Sequence, residues 1–146
     1  MPRFAQGRFE PKNPSKYVGK KSPHARSSWE FVFMKMLDEH PGVESWASES
    51  IQIPYRDPLT GKSTIYVPDF FIVYQDKNGK KNAELIEVKP TNHTLRERVG
   101  KSGYNQEQYI KNLAKWEAAT AWCKQKRIKF RVVTEDDIFH QGKKRR

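Results

Sequence analysis

Apolar positions change their period several times along this chain, and each change marks an element. Glu30, Phe33, Met34 and Leu37 share one face of a helix. Ser27-Ser28-Trp29-Glu30 has the spacing of a capping box, and Pro41-Gly42 stops the helix. Residues 43–55 read as a first strand, and Ser50-Ile51-Gln52-Ile53-Pro54-Tyr55 alternates at its end. After a turn over residues 57–62, residues 64–74 form a second strand. Asn78-Gly79 marks a hairpin turn, and residues 83–89 form a third strand that Pro90 ends. A polar loop over 90–104 leads to a helix over about 105–126. Tyr109, Leu113, Trp116, Thr120 and Cys123 recur on one face of it and read as core. Residues 129–133 form a fourth strand, and residues 134–137 cap a short terminal helix.

The order is α-β-β-β-α-β, an α/β fold with helices on the faces of one sheet. No boundary falls inside residues 25–140, so they form one domain. Residues 1–24 carry Pro2, Pro11, Pro14 and Pro23 and little apolar content, which predicts an extended basic arm. Residues 141–146 form a basic tail. No apolar run is long enough to span a membrane, and the N-terminus has no apolar signal region. The single Cys123 suits a reducing cytosol, and the four histidines lack zinc spacing.

Charge adds a partner. The net charge is +11, and the basic residues are clustered. Nucleic acid is the expected polyanion, although the same charge can serve solubility alone. Lys16, Lys20, Lys21 and Arg26, the loop residues Arg96, Arg98 and Lys101, and Lys143, Lys144, Arg145 and Arg146 have few acidic neighbours in sequence. They are expected to contact phosphates, not to read bases. Lys111 and Lys115, on the polar side of the long helix, extend that track.

Three polar residues then stand where a sheet core should be apolar: Asp69, Glu87 and Lys89. Stripping water from such groups costs several kcal/mol unless they are paired, bind metal or work in catalysis. Glu87 and Lys89 point to one side of their strand, Ile86 and Val88 to the other. Asp69, Glu87 and the Val88 carbonyl could supply oxygen ligands to Mg2+. Lys89 would then orient a water or offset charge on a reacting phosphate. A solvated ion pair on a strand face is the simpler alternative. Glu30 carries two readings, the capping box or a reach into this site.

Pro68-Asp69 followed by Glu87-Val88-Lys89 resembles the PD-(D/E)XK nuclease signature, placed on the second and third strands as in that superfamily's core. Over nearly the whole chain the sequence is also similar to the head completion nucleases of T-even-type phages. The matching stretches are residues 11–17, 26–30, 48–50 with 53–55, 87–90, 112–116 and 128–131 with 134–136. In that family the aspartate need not follow a proline, so Pro68 is not diagnostic within it. The resemblance implies a restriction-endonuclease-like core with a mixed sheet and an Mg2+-dependent endonuclease in which Mn2+ substitutes. It makes Glu30 a third metal ligand and points Lys115 toward DNA contact or support of the site. It also implies duplex or branched DNA as substrate, packaged DNA late in head assembly, phage portal or head proteins as partners, and a place in the host cytoplasm or the virion. A DNA-binding structural head protein without turnover is the alternative. An RNA-binding protein is disfavoured, because the aromatic strand motif and glycine clamp of the common modules are missing.

Overall fold

The computed structural model describes residues 7–89 and 103–134. A short pair of strands, β1 (Gly7–Arg8) and β2 (His24–Ala25), brackets a 3-10 turn at Pro14–Lys16. Helix α1 spans Ser28–Glu39. Strands β3 (Val43–Ser48), β4 (Ile53–Arg56), β5 (Ser63–Tyr66), β6 (Phe70–Gln75) and β7 (Lys81–Val88) follow. Helix α2 spans Gly103–Gln125, and β8 (Lys129–Val133) is the last described strand.

The central sheet has the order β3-β6-β7-β8. Its first two pairings are antiparallel and the third is parallel, so the sheet is mixed as expected. Period two divides its side chains. Phe70, Ile72, Ile86 and Val88 face α1, where Phe33, Met34 and Leu37 cover them. Phe71, Leu85 and Phe130 face α2, with Ala119 and Cys123 buried against them. The Asp76–Lys80 turn is held by Asp76, whose Oδ1 accepts from the Asn78 and Lys80 amides, and Gly79 takes φ +80 there.

The first two expected strands each divide in two. Ser48 still pairs with Phe70, and the Glu49 amide still donates to the Asp69 carbonyl at 2.9 Å. There the ladder stops. Glu49 turns left-handed at φ 51, and Pro68 has no N–H to offer a neighbour. The chain leaves the sheet on both sides of this point. β4 and β5 then pair only with each other, as a hairpin over the α2 face.

Two further expectations are corrected. The N-terminal segment is not an unpacked arm over residues 7–24. Phe9 is buried against Phe31 and Trp46, and the Tyr17 ring lies 4.7 Å from that of Trp46. Tyr17 and Val18 extend along the β3 edge, with the Val18 amide on the Trp46 carbonyl, so an exposed edge is covered. A few aromatics outweigh the polar composition here, because tertiary pockets await them. On α2 the buried face is also rotated. Asn112, Ala119 and Cys123 are buried and Trp116 is half-buried, while Leu113 and Thr120 are exposed. Small Ala119 lets the helix lie close against β4 and β8. Of the expected 90–104 loop, residues 103–104 begin α2 and residues 90–102 lie outside the described residues, as do the terminal helix beyond Thr134 and the basic tail.

Candidate active site

The place where the strands part is where the polar residues gather. β6 ends at Phe70, so the Val88 amide has no backbone partner on that side. Asp69 Oδ2 takes it at 2.8 Å. This anchors Asp69 beside Glu87 on the α2 face of the sheet. Glu87 is buried, with Oε1 accepting from the Tyr66 hydroxyl at 2.8 Å and Oε2 lying 3.5 Å from Lys89 Nζ. Lys89 is itself fixed through its backbone amide, which donates to the Val133 carbonyl at 2.9 Å.

Glu30 enters from the first turn of α1. Ser27 Oγ accepts from the Glu30 amide at 3.1 Å, the first half of a capping box. The Glu30 carboxylate takes the Arg26 amide at 3.0 Å in place of the Ser27 amide. It still faces the charges of Glu49 and Glu87.

Electrostatics join these groups into one site. Burial holds Asp69 well above the usual carboxylate range, and the charges of Glu87 and Glu30 add to the rise. Burial also raises Glu87, against the pull of Lys89 and the Tyr66 hydrogen bond. Glu30 is raised by burial first, with the Arg26 amide opposing. The Tyr66 hydroxyl is raised by burial and by Glu87. The buried Trp116 indole N–H makes no well-formed hydrogen bond, yet lies near enough to that hydroxyl to oppose its shift. Asp69 and Glu30 are raised by neighbouring carboxylates as well as by burial, and a cation bound among them would relieve that repulsion.

Their chemistry fits a hard divalent cation. Among the described residues no three of His, Cys, Asp and Glu stand close enough to hold an ion between them. Mg2+ does not need such a cage, because it keeps several waters and is bound through one or two carboxylates plus substrate phosphates. Asp69 and Glu87 satisfy that requirement.

The sequence reading did not single out two residues of this site. Tyr66 sits in an apolar run and reads as core. Glu49 accepts both Nε and Nη2 of Arg26, at 2.7 and 3.0 Å, and so stands beside Glu30. The only sequence signal for Glu49 was its place in a matching stretch with no role attached.

The expected phosphate contacts separate into groups. Lys20 and Lys21 line a cleft of about 540 Å3 beside the site, with Ser48, Glu49, Gln52 and Val67. Lys16 is otherwise engaged, donating to the Asp38 and His40 carbonyls at 2.9 and 2.8 Å and closing the end of α1. Arg26 is held by Glu49, and Lys111 lies 3.8 Å from Asp57. Lys115 is half-buried and faces the site, not the solvent. Arg96, Arg98, Lys101, Lys143, Lys144, Arg145 and Arg146 lie outside the described residues.

Two similarities agree with this geometry. Residues 40–135 match the family described as TnsA-like endonuclease N terminal, and the chain belongs to that family, an endonuclease group of restriction-endonuclease-like fold. The chain is also 34% identical to the head completion nuclease of Enterobacteria phage T4, over 93% of this chain and 95% of that protein.

Proposed function

We propose that this protein is a divalent-metal-dependent DNA endonuclease centred on Asp69, Glu87 and Lys89. The observation that carries the reading is the 2.8 Å anchor of Asp69 on the Val88 amide, which places two charge-coupled carboxylates beside one lysine. Asp69 and Glu87 would hold Mg2+ with waters and a substrate phosphate completing its shell, Mn2+ would substitute, and Glu30 would act on the site through its charge. Bound there, the ion would supply Lewis-acid charge to the phosphate and acidify a water.

The residues of the chain do the rest. The Val88 amide and the Tyr66 hydroxyl fix the two carboxylates. The Lys89 ammonium orients the attacking water and offsets charge on the five-coordinate phosphorus. Hydrolysis joins the water oxygen to phosphorus and breaks one bond from phosphorus to a deoxyribose oxygen. The water gives up a proton and the departing oxygen gains one. Lys20 and Lys21 hold neighbouring phosphates. Similarity over nearly the full length to a protein named head completion nuclease supports a place for this cleavage in phage head completion.

Supercoiled plasmid tests the reading. The wild-type chain should nick it with Mg2+ and not with a chelator. Glu87→Ala should be inert yet folded. Undiminished Mg2+-dependent cleavage by that variant would remove the assignment.

A further inference from the structure

One cation of the site makes no ion pair among the described residues, although Glu87 and Asp57 face it. Lys115 lies on the stretch of α2 that turns toward the Glu87 face of the sheet, and its side chain is half-buried. Its Nζ sits 5.6 Å from the centre of the Tyr66 ring, whose hydroxyl holds Glu87. Among the described residues no carboxylate comes within ion-pair distance of it. The charges that face it are Glu87 and Lys89 on β7, Lys111 on its own helix and Asp57 in the hairpin. Glu87 is already engaged by Tyr66 and Lys89, and Asp57 by Lys111. Burial, then Lys89, push the Lys115 ammonium below its ordinary value, as expected of a cation short of an anion. A long, flexible side chain could have turned to solvent. This one lies on an aromatic face and points at the carboxylates.

We propose that Lys115 is a catalytic residue, binding the reacting phosphate from the α2 side and sharing with Lys89 the charge that builds on its oxygens. The proposal rests on the nuclease reading and goes beyond it, by giving a residue of α2 a role in the chemical step. Lys115 stays protonated throughout, and no proton moves through it. The phosphate supplies the close counter-charge that Glu87 and Asp57, each engaged by another partner, do not. The Tyr66 ring steers the ammonium, so the β4–β5 hairpin, α2 and β7 would meet at one phosphate.

The test uses the full chain with Lys115→Gln, Lys115→Arg, Glu87→Ala and the exposed control Lys124→Gln. Single-turnover nicking of plasmid at saturating protein is read beside DNA affinity in chelator and the melting temperature. Lys115→Gln should slow nicking by about 100-fold, the scale of losing one transition-state donor. Its affinity should weaken by no more than about threefold, in line with loss of a single phosphate contact. Lys115→Arg should recover part of the rate, and Lys124→Gln should match wild type. Two results overturn the role: a Gln variant that nicks at the wild-type rate once saturated, or one slowed only as far as its folded fraction falls. Those leave the nuclease reading standing. A wild-type chain that never nicks, or an active Glu87→Ala, overturns both.

Discussion

Tyr66 and Glu87 are joined by a 2.8 Å hydrogen bond although their strands share no ladder. The phenol crosses from the β4–β5 hairpin to the central sheet and donates to a buried carboxylate, and that bond favours the ionised form of Glu87. Tyr66→Phe should therefore raise the Glu87 pKa. If ionised Glu87 is needed for cleavage, the acid side of the pH–rate profile should move to higher pH. Loss of a hydrogen bond to a charged group should also cost about 2 kcal/mol of stability. A pH–rate profile at fixed Mg2+, with a urea unfolding curve, checks both. An unmoved acid limb would separate Tyr66 from Glu87 ionisation.

The raised carboxylates make stability depend on pH with a definite sign. Asp69, Glu87 and Glu30 all stand above their ordinary values. The unfolded chain therefore releases these protons at lower pH than the folded chain. Above the unfolded values, near pH 4, the folded state binds more protons, so their contribution to stability falls as pH rises. It is lost by the time pH passes the folded values. Asp69→Asn keeps an oxygen acceptor for the Val88 amide and removes one charge. In chelator its melting temperature should exceed wild type by a gap that widens from pH 4 toward pH 7. A gap that stays constant with pH would contradict the electrostatic account.

The residues legible in the sequence were those that broke a pattern. Asp69, Glu87 and Lys89 interrupt apolar runs, and the fold puts them together. Lys115 broke none: it was named on the polar side of a long helix and, by the resemblance, for DNA contact or support of the site, but its place opposite Glu87 depends on the buried face, which Asn112 and Ala119 set rather than Leu113. The strand breaks at Glu49 and Pro68 were hidden because residues on either side keep strand-like composition. Phe9 was hidden by the prolines and lysines around it, since local composition cannot show a pocket built by Phe31 and Trp46.

Glu30→Gln distinguishes the cap from the site. The Ser27 hydroxyl bonds the Glu30 backbone, which the substitution does not touch, and a Gln carbonyl can still accept from the Arg26 amide. Glu30 is buried and its carboxyl is raised by burial, so removing its charge should not lower stability at neutral pH. Cleavage should fall by at least about tenfold if the carboxylate belongs to the metal site, as for groups that support bound metal. Melting temperature and nicking rate on this one variant decide it. Full activity would leave Glu30 as a helix-end residue only.

Phe9→Ala tests whether the N-terminal segment is part of the core. Phe9 is 5% exposed, with its ring 5.6 Å from that of Phe31 and 5.9 Å from that of Trp46. Removing a buried phenylalanine costs about 3–5 kcal/mol, a large share of the roughly 5–15 kcal/mol that holds a domain together. Urea unfolding should show that loss. A change below about 1 kcal/mol, typical of surface positions, would return the segment to the status of an arm.

Salt dependence separates lysines that face DNA from lysines that hold the fold. Lys20 and Lys21 line the cleft together with Glu49, whose carboxylate feels the charge of Lys21. Lys16 spends its ammonium on the Asp38 and His40 carbonyls at the end of α1. Each phosphate contact contributes about 0.9 to the slope of log affinity against log salt. Lys20→Ala with Lys21→Ala should flatten that slope by about 1.8 if both reach phosphates, and weaken all duplex sequences alike. Lys16→Ala should leave the slope near wild type and lower the melting temperature instead, because the Asp38 and His40 carbonyls lose their charged donor and keep only Asn13 Nδ2 and the Val43 amide. Binding titrations across a salt series, with melting curves on the same proteins, check both halves. An unchanged slope in the double variant would take the cleft out of the DNA path, and a flattened slope in Lys16→Ala would show that its ammonium leaves the helix end for the phosphate.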